Sequence, residues 1–384
     1  MRSGADTQHE ILYGPGARAI HAGGAAAGRF SPVLVPASWV YHAVSHAIRG
    51  ARSLDLPPTP EGVSVVSVGN LEVGGGGKTP LAMHLLAAIP PAGGRAVYIS
   101  RGYGGLSERL DVVTVVPGTE DDVGDAVRAG VRCLRRGMPG LAEQVGDEGA
   151  MVAGRLPRVP LLFCRNKARA LEVAADVFGP GHVVMDDAFQ SWGVPRDVDI
   201  LLLDGQRPFG DGWLLPAGTL REPPEAVGRA DFIGAGGVES ESQLSQFREL
   251  VAAATGVRKP TFGVRRRIEI AAGAGGDLAA VPGDRYAALS GIGRPEAFER
   301  QLAGERGGLA LSFRYPDHHR YTREDLVWVV GEARKRGIET IVTTEKDWVK
   351  LADLGPAGGY FAVARLTLEL FGDDPCADIR EAAG

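Results

Sequence analysis

Apolar positions along the chain alternate between two rhythms. Short apolar runs at 63–68, 96–100, 161–165, 182–185 and 199–204, most of them rich in β-branched residues, have the length and composition of buried parallel strands. Between them lie longer segments with helical spacing, of which 81–89 is the most apolar. The rhythm weakens over 258–284, in TFGVRRRIEI and then AAGAGGDLAAVPGD. It restarts at Tyr286 as YAALSGI, PEAFERQLAG, LALSFRY, REDLVWVVGEARKRG, ETIVTTEKD and YFAVARLTLEL. The pattern predicts an α/β protein: a parallel-sheet lobe over 29–257, a strand-like linker over 258–284 and a smaller α/β lobe over 285–384.

Residues 1–28 carry no apolar periodicity and read as a loose N-terminal extension without the marks of a signal peptide. A helix is predicted over about 36–53, opened by Pro36, with Val40, Ala43, Val44, Ala47 and Ile48 on one face and His42, His46, Arg49 and Arg52 elsewhere around it. It is too short and polar to span a bilayer, which needs about 20 apolar residues. Trp39 and Tyr41 beside basic groups suit a membrane surface. A helix docked on its own domain fits these residues equally well.

Composition narrows the picture. A chain of 384 residues with 44% hydrophobic and 23% charged content is globular, and the net charge of -5 offers no general attraction to nucleic acid. No protein partner can be inferred. Three cysteines, with no C-x-x-C pair and no zinc-spaced histidines, predict a reducing compartment and no structural metal.

The candidate chemistry begins in VSVVSVGNLEVGGGGKTP. Gly74, Gly75, Gly76 and Gly77 lie between a strand and a helix and precede Lys78 and Thr79. Glycines let backbone N–H groups close on phosphate oxygens at a helix N-terminus. Lys78 would reach the β- and γ-phosphates, and Thr79 would place its hydroxyl on Mg²⁺. Pro80 suits the first helical turn. Glu72 stands where the strict G-x-x-x-x-G-K-[ST] pattern has its first glycine, so the reading rests on the strand and helix around it. The lobe is therefore expected to be P-loop NTPase-like.

Other loops follow strands in the same lobe, where open α/β sheets place ligands. Ser100-Arg101-Gly102-Tyr103-Gly104-Gly105 reads either as a tight turn or as a phosphate and sugar contact through Arg101 and Tyr103. The strand ending in Asp186-Asp187 has the Walker-B arrangement that holds Mg²⁺. Asp147 and Glu148 precede a helix, where acids usually act as caps. The long loop at 205–224 carries Arg221 and Glu222. Asn166-Lys167-Ala168-Arg169 imitates the guanine-reading N-K-x-D, but Arg169 replaces its acid, so adenine is the expected base. In the second lobe, Gly291–Pro295 with Arg294, Pro316–Tyr321 with His318 and His319, and 343–347 follow apolar strands.

Taken in order, SVGNLEVGGGGKTP, SRGYGG, VGDEG, DDAFQ, PFGDGWLLPAGTLREP, SGIGRP, PDHH and TTEKD resemble the tetraacyldisaccharide 4′-kinases, the lipid A 4′-kinases, from about Pro36 to Leu370. The resemblance implies an enzyme that uses ATP and Mg²⁺ to phosphorylate the 4′-hydroxyl of a tetraacylated glucosamine disaccharide 1-phosphate, forming lipid IVA. It implies a peripheral location at the cytoplasmic face of the bacterial inner membrane. It also implies roles: Lys78 and Thr79 for the nucleotide phosphates and metal, Asp186 and Asp187 for the Walker-B site, and Asp147 as base paired with His318, with His319 the other candidate. Arg221, Glu222 and Arg101 match segments near the active site, and Arg294 is a further substrate candidate. Ala188, Ser191 and Gly149 depart from the residues usual in the family. A P-loop ATPase switch or assembly factor, or a kinase of the same fold acting on another sugar, are the alternatives. Acyl-chain preference and oligomeric state are not legible.

Overall fold

The computed structural model of the chain describes residues 9–14, 34–53, 56, 58–74, 77–89, 95–272, 285–306, 308–355 and 360–382. Its strands in chain order are β1 (Glu10–Tyr13), β2 (Ser64–Gly69), β3 (Arg95–Ser100), β4 (Thr114–Val116), β5 (Arg132–Cys133), β6 (Leu161–Phe163) and β7 (Pro180–Asp186). There follow β8 (Val198–Asp204), β9 (Phe232–Gly236), β10 (Thr261–Ala272), β11 (Tyr286–Ser290), β12 (Leu309–Arg314), β13 (Ile341–Thr344) and β14 (Phe361–Gly372). The chain divides into two compact units, one of residues 30–267 and 368–384, the other of residues 1–29 and 268–367.

In the larger unit the strands run in the order β10-β9-β8-β2-β7-β3-β6-β4-β5. Among the described residues these strands pair in parallel, except β4 with β6, which is antiparallel. Parallel strands need helices on both faces, which is why β2 reads as a continuous apolar run and is buried throughout. On one face Val65, Val97, Ile99, Val183 and Met185 pack with Leu171 and Phe178 of the helix Lys167–Phe178. Leu201, Leu203, Ile233 and Ala235 pack with Leu244, Phe247 and Val251 of the helix Glu241–Thr255. The helix Lys78–Ala88 buries Leu81, Ala82, Met83, Leu85 and Leu86, so it is apolar nearly all round and lies deep in the unit.

The smaller unit orders its strands β1-β12-β11-β13-β14, all parallel. Alternation in β11 sends Ala287 and Leu289 to one core with Val329 and Ala333, and Tyr286 and Ala288 to the other with Phe298 and Leu302.

The α/β class and the parallel-sheet lobe agree with the sequence pattern; the boundaries differ. Glu10–Tyr13 is a strand paired with β12, fastened further by Arg336 to Glu10, so the segment is not wholly a loose extension. The rest of 1–28, other than 9–14, lies outside the described residues. The first half of the expected linker is largely β10, whose first residues pair with β9, while 273–284 lie outside the described residues. The C-terminal segment from Leu368 belongs to the larger unit, where Asp373 accepts from the Thr261 amide at 2.6 Å. These differences come from long-range pairing, which local periodicity does not encode.

Candidate active site

Loops at the C-terminal ends of β2, β3, β7 and β8 carry the chemistry. β2 leads into the cradle, where Gly74 and Gly77 take left-handed φ of 105° and 95°; Gly75 and Gly76 lie outside the described residues. Gly77 caps the helix Lys78–Ala88, so the lysine and threonine occupy its first turn. Lys78, almost fully buried, donates from Nζ to Asn70 Oδ1 (3.0 Å) and to the Gly74 carbonyl (3.1 Å), and lies 3.4 Å from Asp187 Oδ1. Thr79 donates its hydroxyl to Asp186 Oδ2 at 2.6 Å and lies 3.3 Å from Glu148 Oε2.

The two neighbouring acids do different things. Asp186 is buried; it accepts from Thr79 and from the Tyr98 hydroxyl (2.8 Å) through Oδ2, while its buried Oδ1 meets no protein donor. Burial pushes its carboxyl up, against the pull of those hydroxyls and Lys78. Asp187 turns the chain with φ 49° and faces cations: Arg221 Nη1 donates to both its oxygens, at 2.9 and 3.1 Å. Burial acts to raise this carboxyl too, but Lys78, Arg221 and Lys167 outweigh it and hold it below the ordinary range. Lys167 donates from beneath to the Asp187 main-chain carbonyl, and burial lowers its ammonium to about 8.

Asp147 owes its place to a broken helix. The helix Leu141–Arg155 is interrupted at Gly146 (φ 80°, ψ 158°), so the chain restarts at Asp147, whose Oδ1 accepts from the Glu148 amide at 3.0 Å. The break fits against the loop after β3, backbone on backbone. A Cβ on Gly146 would fall 2.3 Å from the Tyr103 carbonyl oxygen, and one on Gly105 2.5 Å from the Gly146 nitrogen. Neither glycine can carry a side chain without parting the two loops. Arg101, on this loop, pairs with Glu108 at 2.6 Å.

The long loop after β8 closes over the start of the cradle. Glu72 accepts from the Thr219 hydroxyl (2.7 Å), Val73 donates to the Thr219 carbonyl (2.9 Å) and the Arg221 amide donates to the Leu71 carbonyl (2.6 Å). Glu222 points away from Asp187: it is buried, takes a two-pronged contact from Arg229 at 2.8 and 3.1 Å and accepts from Gln190 at 3.0 Å. Arg229 in turn lies over the Phe189 and Trp192 rings, at 4.4 and 4.5 Å.

In the smaller unit, His318 sits in a left-handed turn (φ 58°) with its side chain 42% exposed and Nε2 3.3 Å from Lys346 Nζ. His319 is packed between the Tyr315 and Tyr321 rings and lies 3.1 Å from Asp325. Asp347, fully buried, accepts from the Gly291 amide (2.9 Å) and the Thr344 hydroxyl (2.7 Å), joining two of the three loops, and Arg294 is exposed.

The larger unit thus brings Lys78, Thr79, Asp186, Asp187 and Arg221 into one network, while Glu222 serves a neighbouring one. Sequence reasoning passed over Asn70 and Tyr98, and gave Glu148 and Lys167 other roles. Glu148 had a signal, its place beside Asp147. Lys167 lay inside the false guanine motif, where Asn166 proves to be a helix cap accepting from the Ala168 and Arg169 amides.

A glycine turn from a central parallel strand into a buried helix through Lys78-Thr79, beside a strand ending in paired acids, defines a P-loop nucleotide-binding protein. The model of the family described as Tetraacyldisaccharide-1-P 4′-kinase matches residues 30–378, and the chain belongs to that family. It is 38% identical over 349 residues to the tetraacyldisaccharide 4′-kinase of Anaeromyxobacter dehalogenans, covering 88% of this chain and 85% of that one. To the enzyme of the same name from Pelobacter propionicus it is 32% identical over 355 residues, covering 90% of each. Its fold is similar to the crystal structure of LpxK from Aquifex aeolicus in complex with ATP, with a TM-score of 0.65, 25% identity and coverage of 91% of this chain and 96% of that one. No helix among the described residues is long and apolar enough to cross a membrane.

Proposed function

We propose that this chain transfers the γ-phosphoryl group of ATP to the 4′-hydroxyl of a tetraacylated glucosamine disaccharide 1-phosphate, forming lipid IVA. Membership of the tetraacyldisaccharide 4′-kinase family carries the acceptor, and the linkage of Lys78 and Thr79 to Asp187 and Asp186 carries the nucleotide chemistry. The linkage aligns a phosphate-binding cation and a metal-binding hydroxyl with both Walker-B acids. Asp147 accepts the proton of the attacking hydroxyl. Arg221 adds positive charge beside the phosphates. Glu222 acts through Gln190 and Arg229 as a positioning residue.

The residues fit Mg²⁺. Asp186 keeps a buried oxygen without a protein donor next to the Thr79 hydroxyl, and Asp187 presents a partly exposed carboxylate. Among the described residues no group of three or more His, Cys, Asp or Glu side chains could hold an ion unaided. Thr79, Asp186 and Asp187 would hold it, with Glu148 near at hand. Bound there, the ion would neutralise charge on the β- and γ-phosphate oxygens.

We place the protein peripherally at the cytoplasmic face of the inner membrane. The helix Val35–Ser53 docks by Ser38, which donates to the Leu214 carbonyl (3.0 Å) and accepts from the Ala217 amide (3.1 Å). Val40, Val44 and Ile48 form a stripe on this helix that stays 45–65% exposed, with Trp39 at 69%. Such a stripe beside histidines and arginines suits the headgroup layer. Val40→Glu with Val44→Glu should abolish co-sedimentation with anionic lipid vesicles and leave the fold intact; unchanged co-sedimentation would place the anchor elsewhere. The deciding assay for the reaction is incubation with ATP, Mg²⁺ and the disaccharide 1-phosphate, followed by location of the new phosphate. A product phosphorylated at 4′ supports the reading, and turnover on a soluble sugar alone overturns it.

A further inference from the structure

The basic run Arg265-Arg266-Arg267 on β10 is not used by the chemistry described above. Its alternation sorts it. Arg265 pairs with Glu369 at 2.6 Å, donates to the Glu239 carbonyl at 3.1 Å and lies 4.1 Å from the Phe371 ring. Arg267 pairs with Glu239 at 3.0 Å. Arg266 points to the opposite face, toward the cradle.

Two glycines leave room for it. Val264 is the last residue of β10 in register with β9, opposite Gly236, so Arg266 lies just beyond the end of β9. A Cβ on Gly236 would fall 3.2 Å from Arg266 Nη2, and one on Gly77 3.3 Å from the same atom. The guanidinium therefore rests against the bare backbone of the residue that opens the phosphate-binding helix.

Strand order says which end of a nucleotide meets it. Lys78 and Thr79 join the acids of β7, on one side of β2, whereas β8, β9 and β10 lie on the other side. With the transferred phosphoryl group held toward Asp186 and Asp187, the rest of the nucleotide must extend toward β9 and β10. From these observations we propose that Arg266 is a nucleotide-binding residue that holds the nucleoside end of ATP, its planar guanidinium against the α-phosphate and the base. A guanidinium suits both partners, because it donates to phosphate oxygens and stacks on flat rings.

The inference rests on ATP as the phosphoryl donor, and steady-state kinetics of the full chain separate the two. Wild-type protein that does not turn over with ATP fails the kinase reading, and this one with it. With wild-type turnover established, Arg266→Ala should raise the ATP KM and the Ki of ADP by about tenfold or more. At saturating ATP, kcat and the acceptor KM should stay within about twofold of wild type. Arg266→Lys, which keeps the charge and loses the plane, should give a smaller rise and covers the case of an Ala variant that does not fold. Gly236→Ala, which crowds the guanidinium without removing it, should also raise the ATP KM. Unchanged ATP and ADP constants in Arg266→Ala would overturn the assignment. So would a fall in kcat with KM unchanged, which would make Arg266 a brace of the cradle or a contact of the transferred group.

Discussion

Each unit bends a non-glycine residue into the left-handed region just beyond a parallel strand, Asp187 in the larger and His318 in the smaller. Such a conformation costs an L-residue roughly 1–2 kcal/mol, so something must hold it. At Asp187 the support is electrostatic, with Lys78 and Arg221 on the carboxylate and Lys167 on the main-chain carbonyl. At His318 the backbone amide donates to the Gly291 carbonyl at 3.2 Å, and the side chain stands open beside Lys346. The same backbone device serves two ends. One turn aims a group already balanced by charge, as a nucleotide site needs before its ligand arrives. The other presents a side chain outward.

Substitutions can break that contrast at different depths. Lys78→Ala removes the cation that joins the cradle to Asp187 and should lower kcat/KM by about 10²–10³-fold with the fold retained, checked by circular dichroism alongside the assay. Asp147→Asn keeps shape and polarity and loses basicity; kcat should fall by about 10²-fold with little change in the ATP KM, and near-normal turnover would remove Asp147 as the base. Replacing Asp187 and His318 in turn by glycine is the finest test. Asp187→Gly relieves the backbone but leaves Lys78, Arg221 and Lys167 facing one another, so urea denaturation should show a loss of roughly 1–2 kcal/mol. His318→Gly relieves the backbone with little lost, so stability should hold or rise by up to about 1 kcal/mol while turnover falls. Equal shifts for both variants would mean that the two turns are supported alike.

What the sequence disclosed follows the same division between local and distant causes. The strands VSVV and DILLLD, the cradle and the paired acids were legible because each is a short pattern with a local physical cause. β1 was not: a four-residue run paired with β12 about 300 positions away carries no period long enough to read. The passage of β10 and β14 from one unit to the other was hidden for the same reason, since a run of apolar and basic residues looks like a linker until its partner is known. Within the site, Lys78 and Thr79 were visible as a motif. The meeting of Thr79 with Glu148, 69 residues later, depends on the break at Gly146 and had no linear signature. Arg221 and Glu222 are adjacent, yet one turns to Asp187 and the other to Arg229; charge sets the kind of partner, and the loop's backbone sets which one.

Glu72 gives that lesson a practical edge. An engineer correcting the chain toward the standard phosphate-loop pattern would write glycine there. The correction would improve the match and harm the protein, because the Glu72 carboxylate is one of the fastenings that hold the long loop over the cradle, and among the described residues the only one made by a side chain of the cradle to Thr219. Here a departure from the strict pattern is a joint, and a design that scores each position by itself will mistake it for an error.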